Sequence, residues 1–260
     1  GCARRERSGT FHAGPIGGMS PALLSRDLLL RLDPAALMAA AGFSPDPWQE
    51  RVIRTSSSRV LLLCCRQAGK STVSACMALH EAVFHDGSLV LLLSPSLRQS
   101  QELFRKVNDF RGRMPVAISL KEESALRLEF GNGSRIVALP GNEETIRGFS
   151  GVRLLIIDEA ARVPDSLYLS VRPMLAVSGG RILCLSTPFG QRGFFFDEYT
   201  TGVGWERVRI TAAECPRISE TFLGEERASL GPRWFAQEYE CEFGENVQGA
   251  FSYQDIEASL

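Results

Sequence analysis

Lysine is almost missing from this chain of 260 residues, which has three lysines against 26 arginines. One of the three, Lys70, stands between a glycine and two hydroxyl residues. Because the chain otherwise uses arginine for positive charge, this placement indicates a functional role. The net charge is also small, at −1, so any contact with nucleic acid must come from a local arginine patch or from several subunits together.

Metal-binding cysteine patterns and long apolar runs are absent as well. The seven cysteines include no C-x-x-C pair and the three histidines are scattered, so a zinc site is not expected. We interpret the cysteines as reduced core thiols of a cytoplasmic protein. The longest apolar runs, Val60–Cys65 and Leu89–Leu93, are far too short to cross a bilayer. Residues 1–18 lack the apolar stretch of a signal peptide, and we interpret them as a disordered leader or a cloning remnant.

Short apolar strands alternate with helical segments along most of the sequence, which predicts a mostly parallel sheet covered by helices on both faces. A hairpin is predicted where the alternating segment 126–130 and the strand 135–139 flank the turn Gly131-Asn132-Gly133. Functional groups of a parallel sheet gather at the carboxyl ends of its strands. The predicted strands that end in chemically distinctive residues are 60–64, 154–157 and 181–185.

The first of these strands runs into a candidate phosphate-binding loop and then a predicted helix. Backbone N–H groups near Gly69 would point at a β-phosphate, Lys70 would bridge the β- and γ-phosphates, and Ser71 would ligate Mg²⁺. The strict Walker A motif has a glycine where this chain has Cys64, so an ordinary strand–helix turn is the alternative. The predicted ATP-binding loop comprises Arg66, Gln67, Ala68, Gly69, Lys70, Ser71 and Thr72.

The other two strands end in acids and in hydroxyl residues. Asp158 would hold Mg²⁺, and Glu159 would orient and deprotonate the attacking water, as in a Walker B motif. Two solvated acids at a helix N-terminus are the alternative. Ser186 and Thr187 can sense the γ-phosphate and pass its loss to the segment 189–196, although serine and threonine are also common in ordinary turns.

Two arginines and one Trp-Gln pair complete the candidate site. Arg66 in the loop and Arg147 in the polar segment 143–151 are candidates to stabilise the transferring phosphoryl group, a role worth roughly 10³–10⁵ in rate. Arg66 would act in cis and Arg147 on a neighbouring subunit; ordinary surface charge is the alternative for each. Gln49 can read an adenine edge because its amide both donates and accepts. Trp48 can stack on a base or pack in the core, and core packing is favoured.

These residues resemble the ATPase domain of the terminase large subunit, the DNA-packaging motor of tailed bacteriophages. The resemblance covers roughly residues 43–251. The Arg-Gln pair before the Ala-Gly-Lys sequence is common in that family's phosphate loop and rare in other P-loop groups, which accounts for the missing first glycine. The other matching stretches are Pro45 with Trp48-Gln49, Ser94-Pro95-Ser96 with Gln99-Ser100, Ile146-Arg147-Gly148, Leu154–Ala160, Leu185-Ser186-Thr187-Pro188 with Gly190, and Gln237-Glu238-Tyr239 through Phe243.

The resemblance implies an α/β fold of the P-loop NTPase class, with a RecA-like, mostly parallel sheet flanked by helices and a small C-terminal helical lid subdomain. It implies hydrolysis of ATP with Mg²⁺, coupled to translocation of double-stranded DNA into a preformed capsid. It also implies a homo-oligomeric ring, expected to be a pentamer, with the portal protein and the terminase small subunit as partners and no membrane. The expected location is the cytoplasm of the infected bacterial host. In such a ring, Arg147 would act on the neighbour's ATP, and Ser186 and Thr187 would couple hydrolysis to motion.

The expected domains are the leader at 1–18, a P-loop ATPase core at 19–210, a lid at 211–247, and the start of a linker at 248–260. Nuclease activity is not expected, because no acidic cluster suited to two-metal cleavage follows.

Two other functions are weighed against this one. A helicase-like or remodelling ATPase normally carries a second RecA-like lobe, for which 260 residues leave no room. A non-hydrolysing, nucleotide-dependent DNA-binding switch needs no water-activating acid such as Glu159.

Overall fold

The computed structural model describes residues 21–140, 146 and 148–244. The expected leader at 1–18, the candidate Arg147, the last three residues of the expected lid and the expected linker start at 248–260 lie outside the described residues.

The described part of the chain alternates helices and strands in the predicted order. The α-helices are α1 (Pro21–Leu32), α2 (Pro34–Ala40), α3 (Pro47–Arg54), α4 (Lys70–Phe84), α5 (Leu97–Arg111), α6 (Asp165–Val171), α7 (Gly193–Thr200) and α8 (Glu220–Tyr239). The strands are β1 (Arg59–Cys64), β2 (Leu89–Ser94), β3 (Leu120–Glu123), β4 (Arg127–Phe130), β5 (Arg135–Pro140), β6 (Val152–Asp158), β7 (Arg181–Ser186) and β8 (Glu206–Ile210). Short 3₁₀ helices span Ala160–Arg162, Arg172–Leu175 and Ala212–Glu214.

All eight strands form one sheet, in the order β3-β4-β5-β2-β6-β7-β1-β8. Six neighbouring strands of the sheet run parallel to one another, namely β5, β2, β6, β7, β1 and β8. Strands β3 and β4 add an antiparallel edge beside β5. The predicted α/β fold with a mostly parallel sheet is therefore confirmed, and the predicted hairpin corresponds to β4 and β5. The edge strand β3 is largely exposed and reads Leu-Lys-Glu-Glu, a charged composition typical of edges that resist pairing with another chain.

Apolar burial on both faces explains why the central strands pair in this way. Strand β2 is buried at every position and β1 at every position after Arg59, as expected for a parallel sheet covered by helices. Helix α4 is itself buried along the ten residues from Val73 to Ala82. The first turn of this central helix is therefore fixed firmly against the sheet.

The register of three neighbouring strands brings their carboxyl ends to one edge. Strand β7 lies between β1 and β6. Ser186 at the end of β7 is opposite Leu63 of β1, and Asp158 at the end of β6 is opposite Leu185 of β7. The loop after β1, the acids after β6 and the hydroxyl residues after β7 consequently leave the sheet side by side.

The segment after β8 contributes a kinked helix that contacts the core. Helix α8 breaks at Gly231, whose φ is 75° and ψ is 165°, immediately before Pro232. These residues divide it into two shorter helical parts. At its C-terminal end the thiol of Cys241 donates to the carbonyl of Ile210 at 3.2 Å. The ring of Phe243 packs against Phe196 of α7, with ring centroids 5.0 Å apart.

No helix among the residues that the structure describes is long and apolar enough to span a membrane.

Substitution of Gly180 tests the packing at the amino end of β7, and substitution of the exposed Gly224 in α8 is the control. A Cβ at Gly180 would overlap the carbonyl oxygen of Val152, which is backbone and cannot move aside. We expect Gly180→Ala to lower the free energy of unfolding by roughly 1–3 kcal/mol. Gly224 lies in α8 with open space around it. Gly224→Ala should therefore raise the free energy of unfolding by up to about 1 kcal/mol. Urea unfolding of both variants checks this, and equal effects of the two substitutions would contradict the packing described.

Candidate active site

The loop between β1 and α4 is anchored at both ends and turns tightly in between. The N–H of Cys65 donates to the carbonyl of Ile210, and the N–H of Arg66 donates to that of Glu238, both at 2.9 Å. Gln67 and Gly69 have φ values of 58° and 92°. This left-handed geometry lets the chain turn directly into α4, so that the unpaired N–H groups of the first helical turn face the loop and suit an anion.

Lys70 folds back over this loop. Its ammonium Nζ lies 3.4 Å from the carbonyl oxygen of Cys65, and its side chain is half-buried. The predicted ligand Ser71 and the neighbouring Thr72 follow in the first turn of α4, also half-buried. The ammonium and the helix N-terminus therefore present positive potential on the same side of the loop.

Gly69 is required by close approach as well as by its φ value. A Cβ at this position would lie 2.8 Å from Nε2 of Gln49 and 3.0 Å from Nη2 of Arg217. Any larger residue would push these two polar side chains away from the phosphate loop.

Gln49 is completely buried beside the loop, and half of its amide is unpaired. Its Oε1 accepts from the N–H of Asp46 at 2.9 Å, which fixes the side chain at the start of α3. Its Nε2 has no hydrogen-bond partner in the described part of the chain. A buried amide donor without a partner is rare, so Nε2 can donate to an acceptor of a group bound beside the loop. Trp48 is 6% exposed and belongs to the hydrophobic core, in agreement with the favoured interpretation.

Arg217 is a residue of this site that the sequence analysis missed. Its Nη2 contacts Oδ2 of Asp46 and the carbonyl oxygen of Ala68, both at 2.7 Å. It therefore connects the segment after β8 with the start of α3 and with the phosphate loop. No local pattern surrounds it, and its partners lie 171 and 149 residues away in the sequence, so the sequence offered no signal for it.

Asp158 is a half-buried carboxylate in an environment that disfavours its charge. Burial, and then the adjacent charge of Glu159, raise the pKa of Asp158 from 3.8 to about 6, whereas the nearby ammonium of Lys70 lowers it. Carboxylate and hydroxyl oxygens such as those of Asp158 and Ser71 are the donors that Mg²⁺ prefers. Among the described residues no three His, Cys, Asp or Glu form a metal cluster. Ser71 and Asp158 are the candidate protein ligands of a cation at this edge of the sheet.

Glu159 adopts a left-handed backbone conformation, with φ at 49°. Such conformations are unfavourable for residues other than glycine and are concentrated at active sites. Its Oε2 accepts from Nη1 of Arg162 at 2.7 Å. The carboxylate of Glu159 is therefore held by the guanidinium group of Arg162, which lies in the 3₁₀ turn that follows β6.

Ser186 and Thr187 are buried and bind this same 3₁₀ turn. The Oγ of Ser186 accepts from the N–H of Ala161 at 3.2 Å. The Oγ1 of Thr187 accepts from Nη1 of Arg162, also at 3.2 Å. The structure thus brings the predicted coupling residues into contact with the segment that carries Glu159.

Arg66 extends from the phosphate loop to the helix α8. Its Nε lies 2.8 Å from Oε2 of Glu238, and 65% of its side chain is exposed. The arginine is therefore near the site but is engaged by a carboxylate in this conformation.

A family model described as the N-terminal part of the terminase large subunit, T4likevirus type, matches residues 61–258. The chain belongs to the terminase large subunit family. The resemblance inferred from its motifs is therefore confirmed.

Curated terminase large subunits are among its relatives. The chain is 28% identical to that of Thermus phage G20c over 173 residues, which are 59% of this chain and 36% of the relative. It is 23% identical to that of Escherichia phage T5 over 227 residues, 82% of this chain and 51% of the relative. The chain thus spans about a third to a half of the length of these terminases.

Solved terminase structures share the fold. The large terminase ATPase domain of Thermus phage P74-26 matches with a TM-score of 0.68 at 22% identity, over 79% of this chain and 96% of that domain. The large terminase of the thermophilic bacteriophage D6E, solved in complex with ADP, matches with a TM-score of 0.64 at 13% identity, over 76% and 53% of the two chains. At these identities the similarity concerns the fold.

The raised pKa of Asp158 predicts a stability change that depends on pH. A carboxyl group with a pKa above its unfolded value destabilises the fold once it ionises. Asp158→Asn should therefore increase the free energy of unfolding by roughly 1–3 kcal/mol at neutral pH. This increase in the free energy of unfolding should grow between about pH 4 and pH 6 and stay constant above about pH 6. Urea unfolding at several pH values measures it, and a gain that is independent of pH would contradict this assignment.

Proposed function

We propose that this chain is the ATP-hydrolysing part of a terminase large subunit, and that it drives double-stranded DNA into a preformed capsid. The observation that carries this proposal is the register of β6, β7 and β1, in which Asp158 and the loop that leads to Lys70 leave the sheet at the same edge. This register supports a single site that contains the lysine of the phosphate loop and the acid at the end of β6. A lysine for the phosphates beside an acid for the metal is the arrangement on which P-loop hydrolysis depends.

ATP would bind with its phosphates against the loop and the N-terminus of α4. The backbone of the segment 66–69 would receive the β-phosphate, Lys70 would bridge the β- and γ-phosphates, and Thr72 would complete the first helical turn around them. Ser71 and Asp158 would hold Mg²⁺, which when bound supplies positive charge against the phosphate oxygens.

The adenine base would meet the amide of Gln49. The unpaired Nε2 of this side chain can donate to an acceptor on the adenine edge. Trp48, which is buried in the core, would support the position of Gln49 and would not stack on the base. Arg217 would keep the phosphate loop and the start of α3 together around the nucleotide.

Glu159 would act as the general base. It would accept a proton from a water that attacks the γ-phosphorus, and the bond to the bridging oxygen would break to release ADP and phosphate. Arg66 or Arg147 would stabilise the charge on the transferring group. Arg66 can do so only after its side chain leaves Glu238, and a change of rotamer suffices because 65% of that side chain is exposed.

The remaining assignments follow from membership of the family. We propose a homo-oligomeric ring, a pentamer, that acts on double-stranded DNA together with a portal protein and a terminase small subunit in the cytoplasm of the infected host. The D6E terminase was also solved with ATP-gamma-S, which supports a nucleotide as the ligand of this site. Ser186 and Thr187 would couple hydrolysis to motion through the 3₁₀ turn that they bind.

Two substitutions test the catalytic assignment. Lys70→Ala should abolish nucleotide binding, because it removes the charge on the β- and γ-phosphates. Glu159→Gln should retain binding and lower steady-state ATPase by at least roughly 10²-fold, because it removes the general base. Lys106→Ala changes an exposed lysine of α5 and is the matched control.

The pattern of outcomes separates the candidate functions. Binding and turnover unaffected by Lys70→Ala would refute the phosphate-loop assignment. A wild-type chain that binds ATP without turnover dependent on Glu159, even at high concentration and with DNA, would instead be a nucleotide-dependent switch.

A mixture of two inactive variants tests the proposed role of Arg147 across a subunit interface. The Arg147→Ala chain retains Glu159, and the Glu159→Gln chain retains Arg147. A complete active site therefore forms where a Glu159→Gln chain supplies its arginine to a neighbouring Arg147→Ala chain. In a ring mixed at random from equal amounts, about one quarter of the sites would be complete. ATPase of the mixture should therefore exceed that of either variant alone.

The control for this mixture is Lys70→Ala with Glu159→Gln, which should show no rescue because neither chain has a complete set of cis groups. If the Arg147→Ala mixture also shows no rescue although assembly is confirmed, the trans role is wrong. A wild-type rate per chain that is independent of concentration would then favour Arg66 acting in cis.

A further inference from the structure

We propose that Arg162 is a positioning residue that orients the carboxylate of Glu159 and connects it to Thr187 at the end of β7. This inference rests on the proposed ATPase function, and it adds a residue that the motifs of the sequence do not indicate. Its basis is a set of three contacts made by one guanidinium group.

The first two contacts share one nitrogen atom. Nη1 of Arg162 lies 2.7 Å from Oε2 of Glu159 and 3.2 Å from Oγ1 of Thr187. The side chains of Arg162 and Glu159 are 28% and 24% exposed, so the pair is only partly screened by water. A shared donor means that the carboxylate and the hydroxyl cannot move independently of each other.

The third contact fixes the plane of the guanidinium group. Its central carbon lies 4.6 Å from the centroid of the Phe189 ring, a cation–π distance. Phe189 follows β7 by three residues, in the segment that the sequence analysis assigned to signal transmission. The guanidinium is therefore held between the end of β6 and the segment after β7.

The backbone of the same turn reinforces this geometry. The N–H of Arg162 donates to the carbonyl of Glu159 at 2.9 Å, and Ser186 binds the N–H of Ala161. Both the main chain and the side chain of Arg162 thus hold Glu159 in its left-handed conformation. Because Oε2 is bound to Arg162, Oε1 is the oxygen that would accept a proton from water.

The consequence for the reaction is a selective effect on turnover. Among the described residues, the side chain of Arg162 binds Glu159, Thr187 and Phe189 and makes no ion pair or hydrogen bond with the phosphate loop, so its loss should leave nucleotide affinity unchanged. A misplaced base should slow the chemical step, because small errors in orientation cost about 10²-fold in rate. If Arg162 had only a structural role, its substitution would lower nucleotide affinity and stability together with kcat.

The first experiment compares Arg162→Met, Arg162→Lys and a matched control, Arg172→Met. Arg172 also stacks on an aromatic ring, that of Tyr168 at 5.4 Å, but lies away from the acids. We expect Arg162→Met to lower kcat by about 10- to 100-fold with unchanged nucleotide affinity. Arg162→Lys, which retains a charge and a donor, should recover part of the loss, and Arg172→Met should behave as wild type. Unchanged kcat in Arg162→Met, or a parallel loss of affinity, would overturn the proposal.

The link to Thr187 has its own test. Thr187→Val keeps the shape of the side chain and removes the hydroxyl acceptor. If Thr187 acts through Arg162, Thr187→Val should lower kcat in the wild-type background and have no further effect in Arg162→Met. Independent effects of the two substitutions would overturn the connection.

A measurement without turnover distinguishes failure of this inference from failure of the proposed function. A double-mutant cycle on urea unfolding, with Arg162→Met and Glu159→Gln, should show coupling between the two side chains. Additive effects would mean that the pair does not form in solution and would overturn the inference, whatever the ATPase rates. Equal ATPase rates of wild type and Glu159→Gln would overturn the proposed function, and with it a role for Arg162 in positioning a base.

Discussion

The parallel pairing of β6, β7 and β1 is the constraint on which the whole site depends. Neighbouring strands lie about 4.8 Å apart, so the ends of β6 and β1 are separated by roughly 10 Å, with β7 between them. The acids, the hydroxyl residues and the phosphate loop can meet only because Asp158, Ser186 and Leu63 reach the same edge in this register. A slip of one residue would turn each side chain to the other face of the sheet. The apolar runs that stabilise the core thus also determine the distances in the site.

The segment after β8 belongs to the site as much as to a separate lid. Arg217 contacts the carbonyl of Ala68, and Glu238 binds both the N–H and the side chain of Arg66. These contacts tie the phosphate loop to residues that come about 150 positions or more later in the chain.

The parts of the structure that the sequence predicted are those governed by local rules. The central strands followed from uniformly apolar runs, and the hairpin from Gly131-Asn132-Gly133. The candidate phosphate loop and acids were identified from short motifs, and Gln49 from the donor and acceptor of its amide; the roles of these residues stay predictions. Arg217, Glu238 and Arg162 were not assigned roles, because their importance arises from partners brought close by the fold. Arg162 is only three residues from Glu159, yet its contact with Thr187 depends on the pairing of β6 with β7.

The site uses lysine at position 70 and arginine at the neighbouring charged positions, and the two side chains differ in the contacts that they make. Arg66, Arg162 and Arg217 are each bound to a carboxylate in the described structure, whereas Lys70 contacts a backbone carbonyl. A guanidinium group forms directional pairs with carboxylates, and an ammonium group acts as a compact point charge. The arginines are therefore suited to holding the loop, Glu159 and α3 in place, and they are already engaged. In the part of the chain that the structure describes, no carboxylate forms a direct ion pair with Lys70, so its charge stays available at the position where phosphate would bind.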